Sequence, residues 1–241
     1  MSEPLFYYRD LPAVGETITL AGDEARHAAG ARRLHVGNFL QLFDGRGAVA
    51  RAELEAIDRR GKNLSARLTE RHTEPPPLPS VHLACALPKG DRQAVLLDMA
   101  TQLGITSFTP LLCERSVVKA GVNAEKRWRR ICLEACKQSR RLHLPVIHKA
   151  LTPAEAGSRA AAANHIVWLA HPTGGGFPSS HHSALASGVT VMVGPEGGFT
   201  EEEVAQVTAL GGRIVNLGSA VLRIETAAIA LLSTVYLHTQ S

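Results

Sequence analysis

Long apolar runs are missing from this chain. The longest, Ala227 to Leu232, has six residues, against roughly 20 needed for a helix to cross a bilayer. A transmembrane helix is therefore excluded. The opening stretch MSEPLFYYRD lacks the basic segment and apolar core of a secretory leader, so a cytosolic location is expected. Cysteine is sparse: Cys85, Cys113, Cys132 and Cys136 are the four. Cys132 and Cys136 stand one helical turn apart, but no further His or Cys completes a zinc set. Buried, reduced thiols and no metal are the expectation. No Gly-Lys-Ser/Thr P-loop and no GxGxxG occur, which speaks against a nucleoside triphosphate or conventional dinucleotide site. There is no internal repeat and no low-complexity tract.

What is present is an ordinary globular composition, 45% hydrophobic over 241 residues, enough for one large domain or two smaller ones. The net charge of +4 is unevenly spread. Residues 1–74 carry 11 basic and 11 acidic side chains, 75–150 carry 12 and 5, and 151–241 carry 3 and 6. A basic middle between neutral and acidic ends suggests a surface that faces a polyanion such as nucleic acid.

The stretch TEPPPLPS, Thr73 to Ser80, divides the chain, because its prolines continue neither a helix nor a central strand. Before it, the strand-like runs ETITL, GNFLQLFDGRGAVARAELEAI and NLSARLTE alternate with turn signals, with DGRG as a hairpin turn. A short helix is expected in DEARHAAGARRL, with Asp23 as its N-cap. Residues 1–73 thus read as a small β-barrel, 74–80 as a stiff linker and 81–241 as a second domain. In the second domain strands alternate with helices: VHLACALP, ITSFTPLLC, PVIHKA, HIVWLA, VTVMVG and RIVNLG are the strands. That pattern predicts a parallel α/β sheet covered on both faces.

Ligands of open α/β sheets bind beyond the carboxyl ends of the strands. Three such ends carry glycine: His171 to Gly176, Gly194 to Gly198, and Leu217 to Glu225. Glycine admits close backbone approach to a ligand. The helix after GPEGG opens with Glu201, Glu202 and Glu203, with a capping box from Thr200 to Glu203. These acids complement the helix N-terminus themselves, so the loop is not shaped for a polyphosphate. Arg223 and Glu225 lie two apart before the last helix. They read either as a structural ion pair or as a catalytic pair, a cation for a substrate oxygen and a carboxylate for a proton. Thr226 reads as a helix cap or a ligand contact.

ALPKGDR, PLLCERSVVK, EACKQSRRLHLP, VGPEGGFTEEEV and LGSAVLRIETAA together resemble the RsmE family of RNA methyltransferases, in order and over nearly the whole chain. The resemblance implies an N-terminal PUA-like β-barrel and a C-terminal SPOUT α/β domain whose last part is threaded as a trefoil knot. It implies a homodimer that uses S-adenosylmethionine to methylate N3 of a uridine near the 3′ end, in the decoding region, of 16S rRNA in the small ribosomal subunit. Carried over, the cofactor-binding residues are Leu169, Ala170, His171, Gly194, Pro195, Glu196, Gly197, Gly198, Leu217, Gly218, Leu222 and Thr226. Arg223 and Glu225 become the catalytic candidates, with Glu196 as the rival to Glu225. RNA phosphates are assigned to Arg32, Arg33, Lys89, Arg92, Arg115, Lys119, Lys137, Arg140 and Arg141. His27 reads as an RNA contact or a local cap. Three positions depart from the family pattern: Asn38, Arg140 where Gly is common, and Ile224 where Thr is frequent. The rival readings are a SPOUT enzyme with another RNA target and a non-catalytic RNA-binding protein.

Overall fold

The structure, a computed structural model, describes residues 3–31, 34–58, 61–176 and 188–239. It divides into two compact units, residues 1–76 with 136–144, and residues 77–135 with 145–241.

The first unit holds β1 (Leu5–Tyr7), β2 (Thr17–Ala21), α1 (Gly22–Arg26), β3 (Phe39–Phe43), β4 (Ala48–Ile57) and β5 (Asn63–Thr73). The strands form one curled sheet in the order β1-β3-β4-β5-β2, a PUA-type half-barrel. Alternation sets its inner face: Ile18 and Leu20 of β2 are buried while their neighbours are exposed. They join Phe6, Leu40, Leu42, Leu54 and Leu64 in the core. The DGRG turn closes the β3–β4 hairpin, with Asp44 Oδ1 accepting from the Arg46 and Ala48 amides at 2.7 and 3.1 Å. Asp23 is not a cap. The N-cap is Ala21, which has no side-chain acceptor, and Asp23 sits in the first turn paired with Arg26. The helix then widens into a π-helical turn, His27–Ala31. His27 packs edge-on against Phe6, a local contact.

Residues 136–144 are fastened to this unit by named bonds. Lys137 Nζ meets Glu24 Oε1 at 2.9 Å in a largely buried pair. Arg140 donates to Gln41 Oε1 (3.1 Å) and to the Glu3 carbonyl (2.7 Å). Backbone bonds join Gly47 to Leu142 and Leu144 to Gly45. Arg140 itself has φ of 58°, a left-handed conformation that glycine adopts without strain. This gives a physical reason why glycine is common here in the family, and why Arg140 needs its two hydrogen bonds.

The second unit comprises β6 (Ser80–Ala86), α2 (Arg92–Gln102), β7 (Ser107–Leu111), α3 (Ala124–Ser139, its last turn in the first unit), β8 (Val146–Ile147), α4 (Pro153–Ala162), β9 (Ile166–Gly175), β10 (Gly188–Val193), α5 (Glu201–Ala209), β11 (Arg213–Val215) and α6 (Ile224–Thr239). Its sheet is parallel throughout, in the order β11-β9-β10-β6-β7-β8. Every residue of β10 is buried, as a central parallel strand requires. Capping boxes start α4 (Thr152 with Glu155) and α5 (Thr200 with Glu203). All four cysteines are buried and free, and burial pushes the Cys113 thiol up to about 12. Among the described residues no helix is long and apolar enough to cross a membrane, and no His/Cys/Asp/Glu group is disposed to hold a metal.

A histidine cluster lies toward the amino ends of these strands. His82 bonds Ser107 and, at 3.0 Å, Thr109; His165 bonds Ser80 (3.0 Å) and Thr190 (3.1 Å). His148 stands 5.6 Å from the His82 ring. Burial holds His82 down to about 3, and lowers His148 and His165 too. The unfolded chain, with histidine near 6.5, therefore binds more protons in acid, and stability present above about pH 7 is lost as pH falls below 6.5. His82 alone is expected to remove about 2 kcal/mol between pH 7.5 and 5. Urea midpoints across that range check this, and a flat profile contradicts it.

Candidate active site

Three loops converge at the carboxyl ends of the adjacent strands β11, β9 and β10. They enclose an open cleft of about 800 Å³, solvent at its mouth included, lined by Ala170–Pro172, Val193–Glu196, Gly198, Phe199, Asn216–Leu222, Ile224 and Ala227.

The first wall is the end of β9. Its His171 is satisfied locally: Nδ1 lies 2.8 Å from the Thr173 hydroxyl and accepts from the Thr173 amide. Of the glycines beyond it, Gly174 serves the sheet. A Cβ on Gly174 would stand 2.7 Å from the Val215 carbonyl carbon, so this position lets β11 approach β9. The second wall is GPEGG, where Phe199 packs so closely under Gly194 that a Cβ there would stand 3.0 Å from the ring. Gly198 has φ of 71°. Two contacts fix this loop. Arg115 donates to the Gly197 carbonyl at 2.9 Å. Glu203 accepts from both the Thr200 and Glu114 amides at 2.8 Å, so it joins the residues after β7 to the helix start as well as capping it. The third wall, residues 216–222, hangs on Asn216, whose Nδ2 donates to the Pro172 carbonyl (2.6 Å) and whose Oδ1 accepts from the Gly218 amide (2.7 Å).

Of the expected cofactor residues, Ala170, His171, Gly194, Pro195, Glu196, Gly198, Leu217, Gly218 and Leu222 line the cleft. Leu169 is buried within β9, Gly197 faces Arg115, and Thr226 is exposed inside the first turn of α6; none of these lines it. Ile224 is buried and forms part of the wall, so an apolar contact stands where the family often has a hydroxyl. Arg223 is exposed beside it, its side chain without an ion pair or hydrogen bond among the described residues. Arg223 and Glu225 are thus not an ion pair with each other. Glu225 is not on the cleft wall either. Its side chain is 13% exposed, Oε1 faces Arg92 at 3.7 Å, and Oε2 is buried without a hydrogen-bond partner among the described residues. Glu196 is 43% exposed on the cleft, 3.6 Å from the same guanidinium. Of the two carboxylates, Glu196 lines the cleft and Glu225 does not.

The basic candidates divide. Arg32 and Arg33 lie outside the described residues. Arg92, Arg115, Lys137 and Arg140 have the protein partners given above, and Arg141 is half-buried with partners of its own. Lys89 and Lys119 are exposed. Lys126, Arg127, Arg129 and Arg130 on the outer side of α3, opposite buried Trp128, are also exposed; the sequence reading passed over them. The run KRWRR held that signal, four cations around one apolar residue. Asn216 was also passed over, though Asn two residues before Gly signals an Asx turn.

Residues 74–236 match the family described as an RNA methyltransferase domain, and residues 20–65 the RNA methyltransferase PUA domain. The ribosomal RNA small subunit methyltransferase E of Mycobacterium bovis is 35% identical, over 96% of this chain and 90% of the relative. The crystal structure of the Neisseria gonorrhoeae ribosomal RNA small subunit methyltransferase E bound to S-adenosyl methionine superimposes with a TM-score of 0.87 at 28% identity, covering 98% of both chains. A putative methyltransferase from Legionella pneumophila, also in complex with that cofactor, gives 0.84 at 26%, again over 98% of each. The fold is that of an RNA methyltransferase domain preceded by an RNA methyltransferase PUA domain. Within that class, the chain belongs to the ribosomal RNA small subunit methyltransferase E family.

Proposed function

We propose that this protein methylates N3 of a uridine in the decoding region of 16S rRNA, with S-adenosylmethionine as donor, acting as a cytoplasmic homodimer on the small ribosomal subunit. Family membership supports S-adenosylmethionine-dependent methylation of 16S rRNA. The observation that carries the finer reading is an exposed carboxylate, Glu196, on the cleft wall, together with an exposed, uncommitted cation, Arg223, between the cleft-lining residues Leu222 and Ile224.

The cleft fits the cofactor. Its walls are largely apolar or backbone, and Gly194 and Gly198 bring main chain to the surface where a side chain would intrude or strain. Residues 170–172, 194–196, 198 and 217–222 would hold the adenosine part. When bound, the cofactor supplies a methyl group on a sulfonium. The chain's residues supply orientation and charge. Uracil N3 bears a weakly acidic proton between two carbonyls. Glu196 takes that proton, which leaves the N3 electron pair free to face the methyl group that the cofactor would supply. Arg223 lies against a uracil oxygen and stabilises the negative charge that spreads onto it.

The target base must be turned out of its RNA environment into the cleft, and phosphates must hold the rest. Lys126, Arg127 and Arg130 are proposed for that grip. Changing all three to alanine is expected to lower the slope of log K against log salt by about 2, and to raise KM for RNA with kcat preserved. An unchanged slope contradicts the assignment.

Incubating the enzyme with labelled S-adenosylmethionine and either naked 16S rRNA or unmodified small subunits tests the substrate. Label in the subunit's 16S rRNA is expected. Label confined to another RNA, or no cofactor binding at all, contradicts the reading.

A further inference from the structure

The sequence assigns Arg92, which closes the KGDR stretch, to an RNA phosphate. The geometry points to another role: we infer that Glu225 and Arg92 form a positioning relay that holds the Glu196 carboxylate at the cleft. This rests on the proposed role of Glu196 at the reacting base.

Every face of the Arg92 guanidinium is directed. Nε donates to the Lys89 carbonyl at 3.4 Å, across a turn whose Gly90 has φ of 63°. The next residue braces that turn: Gln93 donates to the Pro88 carbonyl at 3.0 Å and accepts from the Trp128 indole at 3.2 Å. From this base Nη1 reaches Glu225 at 3.7 Å and Nη2 reaches Glu196 at 3.6 Å. These are ion-pair distances slightly beyond hydrogen-bond length, as expected of a site that tightens when its ligand arrives. The three residues come from the start of α2, the loop after β10 and the start of α6. One guanidinium therefore ties together the glycine loop and the helix that follows Arg223.

The two carboxylates differ in access. Glu225 is enclosed, and its only ion pair among the described residues is with Arg92. Glu196 is open to the cleft. A cation placed between two anions holds both and keeps them from repelling one another. It is also poorly suited to a phosphate, because an incoming anion meets two carboxylates at once. Arg92, only 31% exposed, thus acts through Glu196 and does not grip RNA.

The test measures kcat, KM for small subunits and thermal melting for Arg92→Gln, Glu225→Gln, the double variant and Arg92→Lys, in the full-length protein. Arg92→Gln leaves Glu225 as an enclosed anion, so its melting midpoint is expected to fall by about 6 °C or more. Its kcat is expected to fall about 30-fold, with KM and the salt slope of binding within about twofold of wild type. Glu225→Gln in the same molecule removes the stranded charge. The double variant is expected to regain most of the melting temperature and still turn over about 30-fold slowly, because Glu196 remains unheld. Arg92→Lys keeps the charge without the fork and is expected to stay at least about fivefold below wild type in kcat. It decides the matter if Arg92→Gln does not fold. A double variant that recovers kcat along with its melting temperature makes the relay purely structural and overturns the inference. So does raised KM with normal kcat in either single variant at Arg92. Identifying the nucleoside made by the wild-type enzyme separates the two proposals: a product other than 3-methyluridine removes the N3 reading, whereas the kcat pattern among variants judges the relay.

Discussion

Arg223→Ala is expected to lower kcat by about 10²- to 10³-fold, the usual cost of removing one donor aimed at developing charge. Affinity for S-adenosylmethionine should stay within about threefold, because Arg223 is absent from the cleft wall while its neighbours Leu222 and Ile224 belong to it. The structural reason for so uneven an effect is that Arg223 is exposed and its side chain is uncommitted, so its loss leaves no fold contact broken. Surface substitutions of that kind usually change stability by less than about 0.5 kcal/mol. Melting curves, cofactor titration and single-turnover methyl transfer separate the three quantities. Full turnover with normal binding would contradict the charge-stabilising role. A loss confined to RNA affinity would make Arg223 a phosphate contact.

Gly174→Ala is expected to be strongly destabilising. The new Cβ would lie 2.7 Å from the Val215 carbonyl carbon and 2.8 Å from the Asn216 amide nitrogen. Both are backbone atoms, so no side-chain rotation relieves the clash and β11 must move away from β9. The cost is about 3 kcal/mol, or roughly 6–12 °C in melting midpoint for a protein of this size. The displacement also reaches the cleft. Asn216 holds the third loop through Pro172 and Gly218, so cofactor affinity should fall about tenfold. Gly175→Ala is the control. Nothing lies within 4 Å of its added methyl, and its effect should stay within about 0.5 kcal/mol. Equal behaviour of the two variants in melting and in cofactor titration would contradict the close-approach argument.

Local features were the most legible in sequence. The DGRG hairpin, the Thr200–Glu203 capping box, Pro153 opening α4 and Gly104 after α2 each follow from residues within a few positions of one another. Asp23 misled because an acid before a helical pattern reads as a cap wherever it stands. Here the helix begins one residue earlier, and the acid falls inside its first turn. The strand-end glycines of HPTGGG were read as ligand contacts, yet Gly174 serves the neighbouring strand; composition alone does not distinguish the two uses. Contacts across the fold were not legible. Arg92 lies far in sequence from Glu196 and Glu225, and only the sheet order brings their elements together. The same holds for Arg140, whose partners Gln41 and Glu3 lie 99 and 137 residues away in sequence. The threaded connection implied by the family resemblance has no local signature at all, since it depends on chain path rather than on any residue pattern.

The most direct measurement is the identity of the methylated nucleoside. Unmodified small subunits would be incubated with the protein and methyl-labelled S-adenosylmethionine, and the 16S rRNA then digested to nucleosides and separated. The label is expected in 3-methyluridine, at one site, and to be lost with Arg223→Ala. Label in a 2′-O-methylated nucleoside, or in a base other than uracil, would contradict the assignment of N3 as the acceptor.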